Sequence, residues 1–271
     1  MKKFITLICL LCVFTLYGCG SSQSGGTENL PPIVEVLPPP IEELPPSGES
    51  GEEIPEEEEE QKKRYYAVST VNALKVRSAP NSNCSVLGYL DKNDAVVLIE
   101  KVGDYYKTVF KQKTAYVYAD YCSRMEIDEA SAEVEKAIEI GCELLGYPYV
   151  WGSQRYHWGN GKLNTAFVQG EFDCSALVQY IYYVSNDVLL DLTTRTQVNN
   201  GQPVKRQELK RGDLMFFTNE SRQYKTGTER IGHVAIYFGN NYILHTASDH
   251  AVIEPISSTR WGYYITARRV A

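Results

Sequence analysis

Phe172-Asp173-Cys174-Ser175-Ala176-Leu177-Val178-Gln179-Tyr180-Ile181 is the most informative run in this 271-residue chain. Asp173 has the chemistry of a helix N-cap, and Leu177, Tyr180, Ile181 and Val184 then recur on one helical face. Phe172, one place before the cap, is set to staple against Leu177. The pattern therefore predicts a buried helix with Cys174 in its first turn. At that place free backbone amides and the helix dipole favour a thiolate, and the same amides can hold an oxyanion. A small apolar residue at a helix start is the bland alternative, and Cys174 alone does not choose between them.

A thiolate nucleophile needs a base, and the chain contains 4 His. His233 opens the run Gly232-His233-Val234-Ala235-Ile236-Tyr237-Phe238-Gly239, and His245 closes Tyr242-Ile243-Leu244-His245. The two runs flank Asn240-Asn241 and read as a β-hairpin. A two-residue loop would put the two histidines on opposite faces. A three-residue Gly239-Asn240-Asn241 loop pairs Phe238 with Tyr242 and Ala235 with His245, which brings both imidazoles to one face on diagonal sites ~7–8 Å apart. The expectation is the odd-length loop, with Gly or Asn in a left-handed conformation, giving a base and a residue that orients it. His157, among Tyr156, Trp158, Gly159 and Asn160, reads as a loop residue, and His250 lies in a polar turn. Both are expected to be non-catalytic.

Upstream, residues 127–146 read as a helix. Asp128, Glu129 and Glu133 come early, Val134, Ile138 and Leu145 share a face, and Gly146 ends it. Cys142, inside this helix, is expected to be a buried, inert thiol. Residues 64 to about 123 hold short alternating runs at 65–71, 73–77, 86–90, 95–99, 105–109 and 114–118, separated by turn residues. Such spacing predicts a small all-β barrel or sandwich.

The chain is 43% hydrophobic and 23% charged, which excludes a wholly disordered or polytopic membrane protein. The net charge of −7 misleads, because residues 21–61 contain twelve Glu and no Lys or Arg. Residues 62–271 carry about +3, which suits an anionic polymer such as cell wall. No basic stripe or motif points to nucleic acid. The acidic segment also holds eight of the 12 prolines. It is expected to be a disordered tether over 19–63. Before it, Met1-Lys2-Lys3, an apolar run from Phe4 to Leu16 and the small Gly18 have the layout of a secretory signal over 1–18. Cys84 and Cys122 could pair in an oxidising compartment, but two unlinked thiols are expected. No cysteine spacing suggests zinc, no metal or other cofactor is expected, and nothing indicates an oligomer, so a monomer is expected.

Three resemblances follow from these residues. Leu16-Tyr17-Gly18-Cys19 resembles a bacterial lipobox, which implies that Cys19 is lipidated and that the protein sits outside the cytoplasm on the cell membrane, or on the outer membrane in a diderm host. Ala73-Leu74-Lys75-Val76-Arg77-Ser78-Ala79-Pro80, Tyr105-Tyr106-Lys107-Thr108-Val109 and Ala115-Tyr116-Val117 resemble a bacterial SH3-like domain over 64–124. That domain is either a wall-binding or groove-shaping module or a packing domain. Residues 125–271 resemble the NlpC-type cell-wall endopeptidases, a compact papain-like cysteine peptidase family. Four ordered motifs carry this likeness: Gly146-Tyr147-Pro148-Tyr149-Val150-Trp151-Gly152, Phe172 to Val178, Leu209-Lys210-Arg211-Gly212-Asp213-Leu214-Met215-Phe216-Phe217, and Gly232 to Gly239.

The last resemblance implies an α+β domain, with N-terminal helices packed on an antiparallel sheet. By the same resemblance, Cys174 is the nucleophile, His233 the general base and acid, and His245 its orienting partner. Tyr149, Trp151, Asp173, Ser175 and Arg195 would contact substrate. The substrate would be a peptidoglycan stem peptide, cut between γ-D-glutamate and a diamino acid through an acyl-enzyme. Ser153 and Ala176 stand where the family has Gly, and the segment 154–171 is longer than the usual connector and could form one wall of the cleft. Rival readings are a thiol amidase or acyltransferase on another substrate, and a non-catalytic wall-binding lipoprotein.

Overall fold

The computed structural model describes residues 61–271 except Ser248. The expected signal peptide, the expected lipidation site Cys19 and nearly all of the expected tether lie outside the described residues.

The first part is all β. Strands β1 (Lys63–Ser69), β2 (Leu74–Arg77), β3 (Val86–Leu90), β4 (Ala95–Val97), β5 (Glu100–Val102), β6 (Tyr105–Phe110), β7 (Lys113–Tyr118) and β8 (Cys122–Asp128) form two antiparallel sheets. Their orders are β3-β2-β7-β6-β5 and β4-β1-β8. Two of these strands were not visible as alternation. Glu100-Lys101-Val102 is mostly polar, and its place comes from pairing with Tyr105–Lys107. Residues 122–128 look like the acidic entry to a helix, yet they pair along their whole length with Lys63–Ser69. Strand β8 thus runs through the junction at 124/125. Cys84 and Cys122 are free thiols.

Helix α1 is Ala132–Glu143 rather than 127–146, because the Ser131 side chain accepts the Val134 amide and sets the first turn there. Helix α2 is Cys174–Asn186, and its cap is Asp173, whose Oδ1 accepts the Ala176 amide at 2.8 Å. Every residue of α2 from Cys174 to Tyr182 is buried. A helix apolar all round must be packed on all sides, and α2 lies against α1 and the sheet. That sheet has β9 (Gln202–Val204), β10 (Leu214–Phe217), β11 (His233–Gly239), β12 (Tyr242–Ala247), β13 (His250–Pro255) and β14 (Tyr264–Arg269) in the order β13-β12-β11-β10-β14-β9, all antiparallel. Two short helices, α3 (Thr194–Gln197) and α4 (Ser258–Gly262), complete it. The architecture is therefore an α+β domain with helices on an antiparallel sheet, preceded by a small β-barrel.

One apolar core runs through both parts, from Tyr66, Val68 and Phe110 to Val134, Leu177, Phe238 and Leu244. The Tyr66 ring meets Phe238 edge-on at 4.7 Å. Arg211 is buried at the same seam. Its guanidinium bonds the Glu135 carboxylate at 2.7 and 3.1 Å, the Tyr66 hydroxyl and the Phe238 carbonyl. A buried cation needs such saturation, since leaving it unpaired is strongly destabilising.

Candidate active site

The hairpin that carries the histidines closes with Asn240-Asn241 at φ 49° and 63°, both left-handed. Two left-handed residues make the two-residue turn whose twist matches paired strands. Gly239 pairs with Tyr242, and a bulge then falls between Tyr237 and Gly239. The loop is thus even in length, contrary to expectation. The bulge supplies the odd residue instead, so Tyr237 faces Ile243 and Ile236 faces Leu244. Continuing that register sets His245 opposite Ala235, as the odd loop would have done, and both imidazoles share a face.

The side chains follow. His233 Nε2 lies 2.8 Å from His245 Nδ1, and His245 Nε2 lies 2.8 Å from Glu254 Oε1 on the neighbouring strand β13. Arg260 of α4 holds the same carboxylate oxygen at 2.9 Å. Burial tends to raise the Glu254 carboxyl, but His245 and Arg260 outweigh it and hold it below the usual range. Burial lowers His245 despite Glu254, and burial, His245 and Arg260 together push His233 well below the ordinary histidine value. These states fix the protons. An ionised Glu254 accepts from His245 Nε2–H. Neutral His245 then accepts at Nδ1 from His233 Nε2–H. The lone pair of neutral His233 is left on Nδ1.

Cys174 enters from the opposite wall. The backbone amides of Val234, the residue beside His233, and of Ser175 lie near enough to its sulfur to favour the thiolate. The thiol is not depressed by its helix start, as the sequence suggested. Burial pushes it up to about 12, Asp173 adds to the rise, and the Val234 amide, Arg155 and the Ser175 amide pull weakly the other way. At 8% exposure the desolvation of a thiolate outweighs one turn of helix dipole.

Cys174 and His233 line two adjoining cavities, of 450 and 480 Å³, that share Tyr149, Asn219 and Gly232. Beside Cys174 stand Trp151, Asp173, Ser175, Arg195 and Arg155. Trp151 is 85% exposed and forms rim rather than floor. The Tyr149 hydroxyl is raised by burial, Cys174 and Asp173, so it stays a neutral donor beside the sulfur. Arg195 pairs with Glu229 at 3.3 Å. Seven of the eight residues singled out from 149 to 245 thus line the two cavities, and the eighth, His245, is fully buried behind His233. His157, fully buried, accepts the Gly159 amide, and His250 pairs with Asp249. Neither lines the two cavities.

Three contributors were not foreseen. Glu254 sits diagonally from His245, whose direct partner is Val252. Its only sequence signal was a charge among apolar neighbours. Arg155, from the long 154–171 segment, bonds Asp173 at 3.0 Å, Ser175 at 2.9 Å and the carbonyls of Ser153 and Leu192. Ser153 accepts the Asp173 amide at 2.8 Å, fixing the residue that caps α2. Among the described residues, no cluster of His, Cys, Asp and Glu is placed to hold a metal ion.

Residues 146–270 match the NlpC/P60 family, and residues 72–123 match the bacterial SH3 domain. The peptidoglycan DL-endopeptidase CwlO of Bacillus licheniformis is 33% identical over 144 residues, covering 52% of this chain and 29% of that protein. The murein DD-endopeptidase MepH of Escherichia coli is 31% identical over 152 residues, covering 53% and 49%. The chain thus spans from a quarter to just over half of the length of the curated relatives it matches. A crystal structure of an NlpC/P60 family protein from Bacillus cereus aligns over 76% of this chain and 63% of that one, at 22% identity and a TM-score of 0.40.

Proposed function

We propose, from the premise that residues 146–270 form an NlpC/P60 domain preceded by a bacterial SH3 domain, that the chain is a peptidoglycan hydrolase using Cys174 as nucleophile. The single observation that carries this reading is the arrangement around the sulfur. Cys174 stands at the start of α2 with the Val234 amide near its sulfur, and the adjacent His233 has its Nε2 fixed by His245, with Nδ1 as its basic atom.

The mechanism follows from the protonation states. With the thiol raised and the imidazole lowered, the resting pair is neutral. Attack on the amide carbonyl therefore couples C–S bond formation to transfer of the thiol proton to His233 Nδ1. The imidazolium that forms is stabilised through His245 by the Glu254 carboxylate, and Arg260 keeps that carboxylate in place. Asp173 takes the Ala176 amide, which leaves the Cys174 amide and the Tyr149 hydroxyl for the oxyanion. His233 then gives its proton to the leaving amine as the C–N bond breaks. Water, losing a proton to the same nitrogen, hydrolyses the thioester.

The bond cut is the amide between γ-D-glutamate and a diamino acid of the stem peptide. The guanidinium groups of Arg155 and Arg195 beside Cys174 suit the carboxylates of such a peptide. Lipidation at Cys19 would anchor the chain, as a monomer, to the outer face of a membrane. A tether of some 40 residues gives a reach of up to ~120 Å at about 3 Å each, and the SH3 domain would hold the wall. Incubating the full chain with sacculi and weighing the released fragments tests this. Peptide cleavage that disappears in Cys174→Ala is expected, and cleavage that persists in that variant would sink the assignment.

A further inference from the structure

Arg155 is the one cation of the 154–171 segment that lines the Cys174 cavity. A guanidinium has five N–H donors. Four of them are taken: by the Asp173 carboxylate at 3.0 Å, the Ser175 hydroxyl at 2.9 Å and the carbonyls of Ser153 and Leu192. Asp173 and Ser175 flank Cys174 in the chain, and the Ser175 hydroxyl also donates to Asp173 Oδ1 at 2.9 Å. The three side chains thus close a ring of hydrogen bonds beside the first residue of α2. The backbone that carries the arginine is fastened as well. The Asn164 side chain donates to the Arg155 carbonyl at 2.9 Å. Tyr156 meets Tyr180 of α2 edge-on at 5.1 Å, and Phe167 stacks on the same ring at 5.5 Å. A surface insertion tolerates added length because little depends on it. This one grips α2 from its cap to Tyr180.

The ion pair is nearly out of water. The Arg155 and Asp173 side chains are 14% and 9% exposed, so solvent and salt screen them weakly. In the proposed reaction negative charge develops here twice, on the sulfur as its proton leaves and on the oxyanion. A bare carboxylate one residue away would oppose both. After burial, Asp173 is the largest influence that holds the Cys174 thiol up, and Arg155 pulls it down. The Tyr149 hydroxyl follows the same signs: burial, Cys174 and Asp173 raise it, and Arg155 lowers it.

We infer that Arg155 is a positioning residue for the nucleophile. Its pairing with Asp173 and Ser175 cancels the carboxylate charge beside Cys174, and this makes the 154–171 segment a working part of the active site. The inference takes Cys174 as nucleophile from the hydrolase reading and owes nothing to the substrate.

Alkylation by iodoacetamide, a neutral probe, tests the sulfur with no substrate present. Modification of the Cys174 peptide is followed by mass in four forms of the full chain: unsubstituted, Arg155→Gln, Asp173→Asn, and both substitutions together. Asn caps a helix as Asp does, so the start of α2 is kept throughout. Arg155→Gln should slow alkylation about tenfold where Asp173 is present, the loss expected when a carboxylate near a thiol is stripped of its counter-charge. Added to Asp173→Asn, it should change the rate by no more than about twofold, since no charge is left to cancel. A side chain that only braces the fold would slow both backgrounds alike. Equal losses in the two backgrounds, or no loss with Asp173 in place, would overturn the inference. If Arg155→Gln alone does not fold, as follows when a buried charge loses its partner, the comparison of Asp173→Asn with the double form decides. An unchanged rate there supports the pairing, and any larger loss refutes it. Sacculus cleavage by the unsubstituted chain is scored separately. Coupled alkylation without cleavage would keep the pair and refute the hydrolase, whereas cleavage with uncoupled alkylation would do the reverse.

Discussion

Cys142 in α1 and Cys174 in α2 make an instructive pair. Each is buried, at 3% and 8% exposure, and burial pushes each thiol up to about 12. By solvation alone the two are indistinguishable. What separates them is the surroundings. Cys142 is enclosed in the core below Arg211, whereas Cys174 borders a cavity, with the amide next to His233 near its sulfur. Burial does not make a thiol inert, and a helix start does not by itself make it reactive. On the proposed mechanism, a neighbouring base with its lone pair directed by a second hydrogen bond does.

The largest effect that could break this contrast is on activity. Cys174→Ala should lower sacculus cleavage by ~10⁴-fold or more, while Cys142→Ala should leave the rate nearly unchanged and cost only ~1 kcal/mol of stability in denaturant melts. A rate equally sensitive to both would mean that the contrast is false. Next comes the chain behind His233. His245→Ala should reduce kcat by roughly 10²-fold and Glu254→Gln by roughly tenfold, both with KM little altered, because they steer a proton rather than bind substrate. A KM effect alone would make Glu254 a binding residue.

Smaller again is the pH response. His233 and His245 are both lowered, so an unfolded chain takes up protons near pH 6.5 that the folded chain refuses. Their contribution to stability is complete above about pH 6.5 and shrinks as the pH falls below it. Asp94 acts in the opposite sense. Burial raises it to about 6 from 3.8, so acidification through that window adds stability. Asp94→Asn should therefore make the fall of Tm between pH 6 and 4 steeper. For the same reason, the acid limb of kcat/KM should lie below 6.5, and absorbance at 240 nm should show no thiolate on either cysteine at pH 7. A Cys174 thiolate at neutral pH would mean that the proton moves before substrate arrives. The smallest effect is expected for Ser153→Gly, which removes one bond to the Asp173 amide and should cost about 1 kcal/mol, with a several-fold loss of rate.

How much of this was legible in the sequence depends on distance along the chain. The cap at Asp173 is a local signal and appears in the structure, whereas the expected apolar face of α2 does not hold as drawn, because the helix is buried all round from Cys174 to Tyr182 and Val184 is exposed. The shared face of the histidines was also legible, but through the wrong turn. Two asparagines reach the left-handed region together, and the bulge that restores register costs one unpaired residue that no pattern marked. Strand β8 was hidden because its partner lies some sixty residues earlier, and local acidity favoured a helix. Glu254 and Arg155 act across folds of the chain that no spacing rule connects. The thiol was misjudged for a similar reason. Its dipole is local, whereas its desolvation is contributed by the whole domain.

The buried guanidinium of Arg211 has a practical implication for anyone hoping to trade parts. It reaches Tyr66 in the small barrel, Glu135 in the first helix and the carbonyl of Phe238 on the histidine hairpin. Excising the barrel would strip that cation of a ligand and open the ribbon's floor to solvent. Swapping in a foreign targeting module would therefore have to reproduce an aromatic hydroxyl at this spot, and chimeras that ignore it should come out of the cell insoluble.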